Sequence, residues 1–143
     1  MSDLFHITET RLVKSIRRKG LLPGRPSRFD GGIVEPHKAY VYLSDDYRWA
    51  SWRAGLGSDD LDLGDYSILV IDGECSFIDA DLFRPDEDYL RDKLKLTPAQ
   101  AREAVEANAN LWADSLSKWH SVAYKGSIDP EAIYDVVRYR LAR

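Results

Sequence analysis

The chain has 143 residues, enough for one domain with a sizeable core, and 44% apolar against 31% charged residues is ordinary for a globular protein. Its net charge of −4 argues against broad, nonspecific binding to nucleic acid, and its single cysteine, Cys75, can form no internal disulfide, which fits a reducing compartment. No run of 18 apolar residues is present and the N-terminus carries no basic-then-apolar signal pattern, so the expectation is a cytoplasmic protein that neither spans a membrane nor is secreted.

The charge is unevenly spread. Residues 1–30 hold Arg11, Lys14, Arg17, Arg18, Lys19, Arg25 and Arg28 against Asp3, Glu9 and Asp30, seven against three for a local balance of +4. This is either a solvated helix face beside a basic loop or a local site for phosphate groups. Residues 59–92 are strongly acidic.

In chain order, residues 3–7 read as a short apolar strand, with Thr8 or Thr10 able to cap the next segment. Leu12, Val13 and Ile16 recur at helical spacing, cations crowd the end, and Gly20 stands where a helix stops. The spacing therefore predicts a helix over 9–19. Residues 21–38 form a long loop punctuated by glycine and proline. Residues 39–43 form a second strand. Ser44 then caps a helix whose stripe is Trp49, Trp52 and Leu56, ended by Gly55 and Gly57 and leading into a polar loop over 58–65. Ser67 to Ile71 is a buried strand, and Asp72-Gly73 turns it toward a hairpin partner at Cys75 to Ile78, which places Cys75 in an apolar strand as inert core. Residues 79–95 read as charged and irregular, anchored by Leu82 and Phe83.

Thr97-Pro98-Ala99-Gln100 is a capping box with proline at its first helical position. It predicts one helix to about Lys118, with Ala101, Val105, Asn108, Trp112 and Leu116 on its inner face and Trp119 closing it in the core. Residues 122–124 form a strand, Asp129 to Ile133 a capped turn, and Val137, Tyr139 and Leu141 alternate with charge as a half-buried last strand. The fold class is α+β in a single domain over 1–143.

Several chemistries lack their signatures. His6, His37 and His120 are far apart and no Cys/His cluster has ligand spacing, so no metal is expected. There is no phosphate-binding Walker loop, no GxGxxG opening a helix and no nucleophile elbow. What remains is a pair of apolar runs, each with a ring and a hydroxyl beside a helix start: Leu4-Phe5-His6-Ile7-Thr8 and Ala39-Tyr40-Val41-Tyr42-Leu43-Ser44. If the two lie side by side they form a candidate nucleotide pocket.

The stretch His6-Ile7-Thr8, Ser15-Ile16, Gly20-Leu21-Leu22-Pro23 and Val41-Tyr42-Leu43-Ser44, with Gly126-Ser127-Ile128-Asp129-Pro130-Glu131-Ala132-Ile133 near the end, resembles the ADP-ribosyltransferase superfamily. The pattern is nearest to its RNA 2′-phosphotransferase branch and the related DNA-modifying toxins. The resemblance implies a split, mostly antiparallel β-structure with flanking helices and NAD, used as a substrate, in its cleft. It implies that His6 and Tyr42 are the catalytic positions. His6 and Thr8 would hold the adenosine-side ribose, Tyr42 would stack on nicotinamide, and Ser44 would line the same pocket. Arg25 or Arg28 would meet the pyrophosphate, where a guanidinium suits bidentate binding. Trp49 is either core or a wall on the nicotinamide side.

These transferases carry a glutamate on a late strand. The closing turn here puts Ser121, beside His120, near that position, and neither is a carboxylate. Three functions fit this pattern: ADP-ribosyl transfer to a macromolecular acceptor, protein or nucleic acid; a catalytically degenerate domain binding a nucleotide or a protein; and a 2′-phosphotransferase on RNA. Tyr42, where the phosphotransferases have histidine, and the acidic balance weigh against the last. A domain of this type is compatible with a phage or bacterial effector.

Overall fold

The computed structural model describes residues 3–24, 39–48 and 65–140. These form an α+β arrangement of two three-stranded antiparallel sheets with helices. The first sheet has the order β1 (Asp3–Glu9), β3 (Asp65–Asp72), β6 (Ile133–Arg140). The second has the order β2 (Tyr40–Leu43), β5 (Val122–Lys125), β4 (Phe83–Pro85). The helices are α1 (Val13–Lys19), α2 (Glu87–Leu94), α3 (Pro98–Ala104) and α4 (Trp112–Trp119). No helix among the described residues is long and apolar enough to cross a membrane.

The main core draws on both sheets. Leu4, Leu69, Ile71 and Ile133 come from the first, and Val41, Leu43, Phe83, Val122 and Tyr124 from the second. Alternation along β2 and β5 sends Tyr40 and Ala123 to the opposite face, where they pack with Tyr89 and Leu90 of α2 and Ala101 of α3. The second sheet is thus covered on both faces, and Tyr42 packs on the helix-covered one.

Several expected elements differ. The first strand runs on to Glu9, and a 3-10 turn over Thr10–Leu12 precedes α1, so residues 9–19 are not one helix. Neither threonine caps it: Thr8 is buried in β1, and the Thr10 hydroxyl meets that of Ser67 at 2.9 Å. After β2, the Asp46 carboxylate rather than Ser44 accepts from the Arg48 N–H, and the helix starts at Tyr47. The stripe Trp49, Trp52 and Leu56 lies outside the described residues.

The hairpin partner at 75–78 does not form. Both edges of β3 are already taken, by β1 and by β6, so no ladder is left for another strand. Cys75 instead lies in a run of turns, half-buried against the core. Residues 79–95 are regular rather than irregular: a 3-10 turn, then β4, then α2. The Asp86 side chain accepts from the Asp88 N–H, with Glu87 and Asp88 in the first turn and Arg91 and Lys93 in the last.

The capping box at Thr97 forms with both of its hydrogen bonds. The helix it starts breaks, however, at Asn108 (φ −116°, ψ 27°), whose side-chain amide donates to the Ala104 carbonyl at 2.8 Å. The break has a packing consequence. Ala101 and Val105 face the second cluster, whereas Trp112 and Leu116 face the main core, with Trp112 stacked on Phe83 at 4.9 Å. Trp119 is exposed rather than core.

Gly20 ends α1 and turns the chain into Leu21, which exchanges two 2.9 Å backbone hydrogen bonds with Ile128. Its φ is 85° with ψ 178°, a region open to glycine alone, and a Cβ there would stand 2.3 Å from the Ile128 carbonyl oxygen. Gly20→Ala should therefore lower stability by about 2 kcal/mol or more. A urea midpoint that does not move would contradict this contact.

Candidate nucleotide site at the meeting of β1 and β2

The two runs singled out in the sequence lie against each other. Phe5 and Ser44 exchange backbone hydrogen bonds of 2.7 and 2.9 Å, so β1, already paired with β3 along one edge, touches the end of β2 along the other. One residue on, His6 Nδ1 stands 2.8 Å from the Tyr42 carbonyl oxygen. A carbonyl can only accept, so Nδ1 carries the proton in this bond. In the neutral ring that leaves Nε2 as an acceptor, the form a sugar hydroxyl can donate to. The half-buried His6 shares a β1 face with Leu4 and Thr8, at the rim of the main core.

The other expected residues surround this contact unevenly. Thr8 is buried two positions along from His6. Ser44 is also buried, and its hydroxyl closes a local turn, accepting from the Asp46 N–H at 3.1 Å. The Tyr42 ring is half-buried and lies on the helix-covered side of β2. His6 therefore reaches this residue through its carbonyl, while the hydroxyl points to α2. Arg25, Arg28 and Trp49 lie outside the described residues. The stretches Gly20-Leu21 and Gly126 to Ile133, far apart in sequence, are joined by the Leu21–Ile128 bridge.

Two carboxylates that sequence reasoning missed arrive from the start of α2. Glu87 Oε1 accepts from the Tyr42 hydroxyl at 2.7 Å, and Glu87 is only 2% exposed. Asp86 Oδ2 accepts from the Ser121 hydroxyl at 2.5 Å. Ser115 ties the group together: its hydroxyl donates to the Ser121 carbonyl at 2.7 Å and accepts from the Asp86 N–H at 3.0 Å. Ser121, at the position where a late-strand glutamate was sought, is thus hydrogen-bonded to a carboxylate from another element. The signal was present in the sequence: an aspartate followed by two acids and then by Tyr89 and Leu90, with cations a turn later, is a helix start. At the same end of the strands, His120 in a left-handed conformation holds Asp45 at 3.0 Å.

Burial pushes the Glu87 carboxyl up to about 7, and the neighbouring Asp86 charge adds to this; the Tyr42 hydroxyl, which favours the ionised form, acts against both. Among the described residues no group of three or more His, Cys, Asp or Glu side chains is arranged to hold a metal ion. The arrangement offers the His6 ring nitrogen at the rim of the main core and, on the helix-covered side of β2, a half-buried tyrosine whose hydroxyl is held by a buried carboxylate. No protein-family model matches this chain, and no curated protein matches it in sequence.

The raised Glu87 pKa has a consequence for stability. Unfolded, the carboxyl loses its proton above about 4.5; folded, it keeps it until about 7. The folded state therefore holds more protons between those values, and this group's contribution is lost as pH rises through that window, by roughly 3 kcal/mol in all. Glu87→Gln should be as stable as wild type near pH 4.5 and more stable at pH 8, measured by urea unfolding at both pH values. A difference between the two proteins that does not change with pH would refute the burial argument.

Proposed function

We propose that this chain is an ADP-ribosyltransferase-like protein that binds NAD as a substrate and transfers ADP-ribose to a macromolecular acceptor. One observation carries the reading: the run ending in His6-Ile7-Thr8 and the run Tyr42-Leu43-Ser44 are directly bonded, through Phe5–Ser44 and through His6–Tyr42. It is supported by the joining of Gly20-Leu21 to Ile128 and by two sheets that meet rather than merge.

Breaking the bond between nicotinamide and ribose builds positive charge on the sugar. A site must hold the sugar, stack the leaving ring and stabilise that charge. In this reading His6 Nε2 accepts from a ribose hydroxyl, with its tautomer fixed by the Tyr42 carbonyl, and the Tyr42 ring stacks on nicotinamide. Arg25 or Arg28 meets the pyrophosphate.

A second reading keeps the binding and drops the transfer. It is favoured by Ser121 standing in place of a late-strand glutamate, and by the burial of Asp86 and Glu87 within hydrogen bonds of their own.

Calorimetry with NAD tests the binding common to both readings. Wild type should bind, and His6→Ala, with an unchanged circular dichroism spectrum, should bind about tenfold or more weakly, since one sugar hydrogen bond is lost. No heat of binding at about 1 mM NAD, a weak affinity by any standard, would sink both. Transfer of radiolabelled ADP-ribose to lysate protein or nucleic acid then separates them.

A further inference from the structure

A second histidine is anchored at the end of β2. Continuing the β2–β5 ladder past the Leu43–Val122 pair brings Asp45 beside His120, whose Nδ1 stands 3.0 Å from Asp45 Oδ1. A carboxylate oxygen accepts, so Nδ1 carries the proton, and in the neutral ring Nε2 is left as a base. Among the described residues nothing bonds Nε2, and the His120 side chain is 47% exposed. His6 and His120 are therefore set alike, the first by the Tyr42 carbonyl and the second by the Asp45 carboxylate.

Their surroundings differ. His6 is half-buried with a neutral carbonyl behind it, which suits holding a sugar hydroxyl. His120 is open to solvent with an acid behind it, and that charge stabilises the imidazolium formed when Nε2 takes a proton. An open ring of this kind is one that a large acceptor can reach. Asp45 follows Ser44, which is bonded to Phe5, and lies three residues beyond Tyr42, at most about 10 Å of chain. The pyrophosphate sets the two riboses of NAD apart by a comparable length. With the adenosine-side ribose on His6, the nicotinamide-side sugar is within reach of His120, which adjoins Ser121, the position where a late-strand glutamate was sought.

We propose that His120 is the general base of the transfer step, with Asp45 as its positioning residue. This rests on the reading of the chain as an ADP-ribosyltransferase using NAD. The acceptor's hydroxyl or amine attacks the anomeric carbon of the nicotinamide-side ribose as the bond from that carbon to the nicotinamide nitrogen breaks. The bonding pair leaves on nicotinamide, which departs neutral. The acceptor's proton passes to His120 Nε2 and from there to water. NAD and acceptor thus give ADP-ribosyl acceptor, nicotinamide and one proton. Without an acceptor, water takes its place, and the products are ADP-ribose, nicotinamide and a proton.

The test follows nicotinamide release from NAD, in water alone and with cell lysate as acceptor, beside NAD binding by calorimetry. His120 ends α4 at φ 56°, a left-handed conformation that glycine favours, so His120→Gly should fold, as circular dichroism checks. His120→Gly should bind NAD within about twofold of wild type and release nicotinamide about 100-fold more slowly, and added imidazole should restore part of the rate. Asp45→Asn should lower kcat at unchanged NAD affinity, and Asp45→Glu should show a smaller loss. Undiminished release by His120→Gly, or a loss that imidazole does not repair, overturns the assignment and leaves the NAD site standing. So does a wild type that binds NAD and releases no nicotinamide under either condition. Failure of wild type to bind NAD overturns the site and the base together.

Discussion

Two backbone hydrogen bonds between Phe5 and Ser44 hold the β1–β2 junction together. β1 belongs to one sheet and β2 to the other, and this single bridge pairs their backbones. With it in place, the His6 ring falls against the Tyr42 carbonyl, its proton is held on Nδ1, and its other nitrogen is presented as an acceptor. The aromatic edge-to-face contact of Phe5 with Tyr47, at 5.5 Å, braces the same corner. A slip of one residue in β1 would turn Leu4 and His6 away from the core face and undo both contacts.

The second constraint is the double burial of the β2-β5-β4 sheet. With the main core on one face and α2 and α3 on the other, Tyr42 points its hydroxyl into a region with little water. A phenol there needs an acceptor, and Glu87 supplies it. Asp86, next in sequence, does the same for Ser121, so one helix start satisfies polar side chains from β2 and from the residue just before β5. The cost of burying two acids side by side shows in the raised Glu87 pKa.

Much of the strand layout was legible because apolar runs such as Ile68 to Ile71 leave little choice, and the capping box at Thr97 is unambiguous. The failures have physical reasons. The hairpin at 75–78 looked sound locally, but turn chemistry at Asp72-Gly73 carries no information about whether β3 has a free edge. The helix from Thr97 looked continuous because its apolar spacing persists through Asn108; only the side-chain bond to Ala104 and the two separate cores reveal the break. Residues 79–95 were hidden by their charge, although the acids that made them look irregular are the ones that cap and start α2. At the site, His6, Tyr42 and Ser44 were visible as a pattern, and the structure joins β1 to β2 there through backbone groups, with the Tyr42 ring on the helix-covered side of β2. The part played by the carboxylates was not visible, because Glu87 and Asp86 meet Tyr42 and Ser121 across 45 and 35 residues of sequence.

NAD uptake at the β1–β2 junction is tested most directly by a two-dimensional amide NMR titration of the isotope-labelled protein with the dinucleotide. Saturable shifts should centre on Phe5, His6, Tyr42 and Ser44, with smaller ones at the start of α2. Shifts confined to residues away from this junction, or no shifts at saturating dinucleotide, would contradict it.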